Sequence, residues 1–264
     1  MSLKEKIRNF LNSALFYISV PKCVCCNEKL DIDDLALCKS CKAEYDALKA
    51  RNCSICSLDL NRCTCSCDYL ERHYVKKLIK VYRYIYDDTL PTNRVIYSFK
   101  RDNRSDVLEF IKSELTDAIS ASIQNPEQYI FTSVPRRKKS IRKYGIDHAQ
   151  LLAKALAKHF KTEYKALLIS KSKSPQKETR GNERVKNVNF KLKNDKISLK
   201  GKKVFLVDDV VTTGASMRYA ATLIRGLGTR EIVGVTISIA YKDSYTPFEY
   251  LDRYIHKKQP QNAR

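Results

Sequence analysis

The chain has 264 residues, enough for one large domain or two smaller ones, and its 43% hydrophobic content excludes a chain too polar to bury a core. Lysine and arginine number 50 against 29 aspartate and glutamate, a net charge of +21. That excess favours a polyanion or an anionic membrane surface as partner and says nothing about fold.

Residues 2–19 are amphipathic, with Leu3, Ile7, Phe10, Leu11, Ala14, Leu15 and Ile18 at helical spacing. A helix packing on its own protein is the first expectation for 1–20. A helix lying on a membrane surface and a signal peptide are the alternatives. The apolar part is too short and, with Asn12 and Ser13, too polar to span a bilayer.

All ten cysteines lie before residue 68. The rest of the chain has the strand and helix alternation of a nucleotide-type α/β enzyme. Clustered C-x-x-C pairs on such a chain read as a metal module in a reducing compartment rather than as disulfides. Cys23, Cys26, Cys38 and Cys41 form two knuckles, a thiolate set that suits tetrahedral zinc. Cys25 competes with Cys26, and the x-x spacing favours Cys26. Cys53 and Cys56, joined by two of Cys63, Cys65 and Cys67, offer a second site, for which Cys63 and Cys65 are the candidates. The zinc module is assigned to 21–68 and a second domain to 69–264.

Val81 to Tyr86 alternates like a strand, with Tyr82, Tyr84 and Tyr86 on one face. An aromatic row can stack bases, but packing against the core is the preferred reading. Thr89 and Pro91 open a helix that leads to Lys100, and a second helix runs from Asp106 until Asn125-Pro126 breaks it. Tyr129 to Val134 is an apolar strand. It ends in Pro135 and the basic run Arg136, Arg137, Lys138, Lys139, Arg142 and Lys143, which suits a diphosphate or a nucleic-acid backbone. A helix follows with Ala149, Leu152, Ala153, Leu156 and Phe160 on one side. Lys171 to Phe190 has no apolar period and reads as a mobile basic flap.

Val204 to Ser216 reads V-F-L-V-D-D-V-V-T-T-G-A-S. Four apolar residues suit a buried strand. Asp208 and Asp209 follow, and then Thr212, Thr213, Gly214, Ala215 and Ser216 lead into a helix. The helix start offers free N–H groups and a positive dipole end to a phosphate. Two adjacent acids are poor phosphate ligands and good acceptors for a sugar diol. Together they describe a site for a ribose 5-phosphate. Ile232 to Ala240 is a further strand. Alternating strands and helices imply a mostly parallel sheet covered on both faces, with ligands beyond the strand C-termini.

This loop resembles the signature of type I phosphoribosyltransferases. With the cysteine knuckles in front, the chain resembles the ComF family of bacterial competence proteins. Three other stretches carry the likeness: Ser133-Val134-Pro135 with the basic run and Tyr144 to Ala149; Lys173 to Asn187, with Pro175-Gln176 and Arg184; and Phe99-Lys100. Ile146, Asp147 and His148 stand where the family has Phe, Asn and Gln. Cys63-x-Cys65-x-Cys67 is more crowded than the family's last knuckle.

The resemblance implies an α/β fold, a phosphoribosyltransferase-like parallel sheet flanked by helices, behind a small zinc-binding module. It implies that Asp208 and Asp209 hold the hydroxyls of phosphoribosyl diphosphate and carry any catalysis. Thr212 to Ser216 would cradle the 5-phosphate, and Arg136 and Arg137 would face the diphosphate with its Mg²⁺. It further implies work on single-stranded DNA along the basic run during natural transformation, in the cytoplasm or at the inner membrane, with competence or recombination proteins as partners. A nucleobase-salvage or nucleotide-synthesis transferase is the alternative, and a nucleotide-sensing regulator without turnover is a third. Whether a bond is broken stays open at this point.

Overall fold

The computed structural model describes residues 21–240, except 51, 54–55, 67, 72, 86, 137–140, 143–144 and 171–189. The expected amphipathic helix at 1–20, the body of the basic flap, and Arg137, Lys138, Lys139 and Lys143 lie outside the described residues.

A parallel sheet is the frame. Its strands are β1 (Val75–Arg83), β2 (Tyr129–Ser133), β5 (Lys203–Val211) and β6 (Glu231–Ile239), in the spatial order β1-β6-β5-β2. A small antiparallel pair joins β3 (Leu168–Ser170) to β4 (Phe190–Leu192). At three residues each, these strands are too short to leave a period in the sequence.

The helices are α1 (Lys39–Lys49), α2 (Asp68–Glu71), α3 (Pro91–Arg101), α4 (Ser105–Ser122), α5 (His148–His159) and α6 (Ala215–Arg225). Successive residues of β5 point to opposite faces. Phe205 and Val207 join the core built with Phe99, Phe110, Ile111, Leu152 and Leu156, whereas Val204 and Leu206 join the core under α6, with Met217, Ala220 and Ile224. Both faces are therefore covered, which is why Val204–Val207 is apolar throughout. Full burial of a side chain such as Phe205 contributes about 1.5–3 kcal/mol.

The strand expected at Val81–Tyr86 begins earlier, at Val75, and ends at Arg83. Pairing with β6, Val75 opposite Ile232 through Arg83 opposite Ile239, sets its bounds. The lysines at 76, 77 and 80 hide that start from a search for apolar alternation. Tyr82 is fully buried and meets the edge of Tyr45, so this tyrosine belongs to the core.

The cysteine-rich segment packs onto the same body. Cys23, Leu37 and Tyr45 share a core with Val95, Phe110 and Ile111. Tyr45 also meets the edge of Phe110, at 5.1 Å between ring centroids.

Candidate phosphoribosyl site and metal centres

The acid pair sits where one strand outlasts its neighbour. β5 pairs with β2 only as far as Ser133 opposite Val207, but with β6 as far as Val211 opposite Ile239. Asp208 and Asp209 are thus inside β5, not beyond its end, with the β2 side open. The acids lie toward the C-terminal ends of the strands, the side on which a doubly covered sheet receives ligands.

Each acid is anchored by the next peptide. Asp209 N–H donates to Asp208 Oδ1 at 2.9 Å, and Val210 N–H donates to Asp209 Oδ1 at 2.8 Å. The second oxygen of Asp209 faces cations, Lys100 Nζ at 3.2 Å and Arg136 Nη2 at 3.9 Å. The two carboxyls are pushed apart electrostatically. Burial and the adjacent Asp209 charge raise Asp208 well above the usual carboxylate range. Burial acts the same way on Asp209, but Lys100 and Arg136 outweigh it and hold that group below the usual range. One acceptor therefore stays ionised beside a neighbour that resists ionisation.

Thr212, Thr213, Gly214, Ala215 and Ser216 follow directly. Gly214 is left-handed at φ 72°, and a Cβ there would lie 3.1 Å from the Leu70 side chain. It bends the chain into α6, whose first N–H groups point out of the helix end. Ala215 N–H reaches Thr213 Oγ1 at 3.4 Å, a long contact.

The turn at Asp147 and His148 is also assembled here. Asp147 caps α5 by accepting from Gln150 N–H and also accepts from Arg136 N–H, both at 3.2 Å. His148 is fully buried against Phe99, and its Nδ1 pairs with Arg136 Nη1. Burial, then the Arg136 charge, lowers its pKa and keeps the ring neutral. The departures from the family turn thus act on Arg136. Of the basic run, the described residues Arg136 and Arg142 separate: Arg136 enters the site and Arg142 is exposed.

Lys100 and His148 carried no site role in the sequence reading. The available signal was Phe99-Lys100 at the end of an apolar helix pattern, which does not say what the cation faces.

The cysteines form two groups. Cys23, Cys26, Cys38 and Cys41 bring their sulfurs within 4.8 Å of one another, and so do Cys53, Cys56, Cys63 and Cys65. A zinc–sulfur bond of about 2.3 Å places tetrahedral sulfurs about 3.8 Å apart, so both groups fit zinc. Cys25 is not in the first group, and its thiol points to Thr89 O. The two leading knuckles share one backbone plan. Cys23 N–H donates to Glu28 O and Asn27 N–H to Cys23 O; Cys53 N–H donates to Leu58 O and Ser57 N–H to Cys53 O. Asn27 and Ser57 are both left-handed, at φ 65° and 59°. Cys67 lies outside the described residues.

No helix among the described residues is long and apolar enough to cross a membrane.

A family profile for the phosphoribosyl transferase domain matches residues 147–261. The competence protein ComFC of Bacillus subtilis (strain 168) is 22% identical over 193 residues, covering 71% of this chain and 77% of the relative. Among solved structures, a purine phosphoribosyltransferase from Pyrococcus horikoshii aligns at 14% identity and a TM-score of 0.34, over 53% of this chain and 89% of its own. A phosphoribosylpyrophosphate synthetase from Mycobacterium smegmatis aligns at 16% identity and a TM-score of 0.33, over 52% of this chain and 38% of its own. These alignments are loose, and the assignment rests on the domain profile and the sequence relative. The relative's match extends beyond the domain segment, and the protein accordingly carries a phosphoribosyltransferase-like domain and is similar, over 71% of its length, to a ComF competence protein.

Proposed function

We propose that this protein binds phosphoribosyl diphosphate at the C-terminal end of β5 and handles single-stranded DNA during natural transformation. The observation that carries the first part is the meeting of the Asp208–Asp209 pair with Lys100 and Arg136 directly before the Thr212–Ser216 turn. Asp209 and Asp208 receive the ribose hydroxyls. The turn and the start of α6 receive the 5-phosphate, and Arg136 and Lys100 face the diphosphate. The carboxylate oxygens there fit a hard cation such as Mg²⁺, which would neutralise charge on the diphosphate.

The DNA part is supported by the net charge of +21 and by the basic run from Arg136 to Lys143, with Arg137, Lys138, Lys139, Arg142 and Lys143 as backbone contacts. The cysteine centres hold structural zinc in this reading, and 1–20, 21–68 and 69–264 are its amphipathic helix, zinc module and ligand domain. Competence or recombination proteins are its partners, in the cytoplasm or against the inner membrane.

The experiment is calorimetry with phosphoribosyl diphosphate and Mg²⁺, combined with fluorescence anisotropy on single-stranded and duplex oligonucleotides across a salt series. With about five phosphates neutralised, the log–log salt slope is expected near −3.5, at about −0.7 per contact. Binding of both ligands without diphosphate release supports the proposal. Base-dependent diphosphate release without DNA affinity replaces it with a salvage transferase.

A further inference from the structure

Lys80 is a lysine inside the protein. It lies on β1 at 2% exposure. Its Nζ donates to Cys65 O at 2.8 Å, Cys63 O at 3.2 Å and Leu78 O at 3.3 Å, and it lies 3.2 Å from Cys63 Sγ. Among the described residues it has no carboxylate partner. An ammonium taken out of water needs an anion nearby, and carbonyl dipoles meet only part of that cost. The remaining contact is a sulfur of the second cysteine group.

The strand around Lys80 is stitched to the same cysteines. Leu78 N–H donates to Thr64 O at 3.0 Å, and Cys65 bridges Lys77 in antiparallel fashion. Cys65 N–H also points at Cys63 Sγ, at 3.3 Å. The first group is built differently. Cys26 is exposed, and among the described residues no lysine or arginine hydrogen-bonds one of its sulfurs.

We propose that Lys80 is the built-in counter-charge of the second cysteine centre. Four thiolates around a divalent metal carry two net negative charges, and the buried ammonium offsets one while donating to the Cys63 thiolate. A thiolate that accepts such a bond is a weaker nucleophile and is alkylated more slowly, so its metal is lost more slowly to such attack. The two centres are therefore unequal: Cys53, Cys56, Cys63 and Cys65 hold their metal tightly, whereas Cys23, Cys26, Cys38 and Cys41 release it first. The second centre is also tied through Lys80 to the edge of the sheet that carries the phosphoribosyl site. The inference rests on the reading of both groups as metal centres.

The test uses the full chain loaded with zinc, and follows release to a chromogenic chelator under a thiol-alkylating reagent. Wild type is expected to hold two zinc ions and release them in two phases. Cys26→Ser should remove the fast phase and Cys56→Ser the slow one. Lys80→Met should speed the slow phase by about 10- to 100-fold, the usual effect of losing a partner that orients a metal ligand. Lys80→Arg, which keeps the charge, should stay within a few-fold of wild type. In the cobalt-substituted protein, Lys80→Met should also shift the sulfur-to-metal charge-transfer band of the second centre.

Fewer than two zinc ions per wild-type chain would overturn the metal reading itself. Two zinc ions with an unchanged slow phase and band in Lys80→Met would overturn the role of Lys80 alone. If Lys80→Met does not fold, the wild-type phases still decide: a single phase refutes the inequality of the centres, and loss of the fast phase in Cys56→Ser refutes their predicted order.

Discussion

Lys100 Nζ lies 3.2 Å from the Asp209 carboxylate and ties the last turn of α3 to the end of β5. The oxygen that a ribose hydroxyl would use is thus already engaged by a cation. In the proposed binding mode Lys100 turns from Asp209 toward the diphosphate.

Lys100→Met should weaken phosphoribosyl diphosphate by about tenfold to a hundredfold, the range for a lost hydrogen bond to a charged group. It should also raise the Asp209 pKa, because Lys100 is the leading charge that lowers it. Asp208, Arg136 and His148 also face this carboxylate. Calorimetry from pH 5 to 8 should show the variant losing affinity at a higher pH than wild type. Parallel pH profiles would dissociate Lys100 from Asp209.

Asp208→Asn should stabilise the fold while weakening the ligand. The folded pKa of Asp208 is raised, so its favourable contribution is present below the unfolded value, about 3.9, and is lost as pH rises through the folded value. The amide escapes that loss. The variant's advantage in melting temperature should therefore grow with pH, by about 2–4 °C per kcal/mol gained for a chain of this size. Thermal melts at pH 5 and pH 8 with an equal gap at both would contradict the buried-pair account.

His148 should matter through Arg136. Its Nδ1 is the acceptor for the guanidinium, so His148→Gln, which keeps an acceptor, should hold ligand affinity within a few-fold, and His148→Leu should lose about tenfold for want of one hydrogen bond to a charged group. The folded pKa of this histidine is lowered, so its contribution is present above the unfolded value, about 6.5, and is lost as pH falls below it. Wild-type melting should drop between pH 6.5 and 5 more than His148→Gln does. Equal affinities for the glutamine and leucine variants would remove the proposed contact.

Glu114 fastens the cysteine-rich segment to the sheet's helical layer. Lys49 Nζ is 2.6 Å and Lys42 Nζ 3.7 Å from its carboxylate, beside the buried Tyr45. Glu114→Ala takes from half-buried Lys49 the nearer of its two anions, leaving Asp46 at 3.3 Å, and should cost about 1.5–3 kcal/mol. Calorimetry should then record a lower melting temperature with zinc content unchanged. Zinc loss at an unaltered melting temperature would place the role of Glu114 at the metal centre instead.

The V-F-L-V run determined β5, because both faces of a covered parallel strand demand apolar residues. The C-x-x-C spacings marked Cys23 with Cys26, Cys38 with Cys41 and Cys53 with Cys56, whereas the fold brought Cys63 and Cys65, with one residue between them, to complete the second group. The strand, turn and helix start around the acid pair and the T-T-G were likewise legible, since a buried apolar run and a left-handed glycine before a helix are local features. Tertiary structure decided what those residues face. Lys100 reaches Asp209 only because α3 folds over the sheet, and Lys80 is buried only because the Cys63–Cys65 stretch crosses β1. It also decided that the acids lie within β5 rather than after it, since β6 extends the pairing past the end of β2. Partners far apart in sequence leave no period and no motif; a buried cation and its counter-charge become visible only when the chain has closed around them.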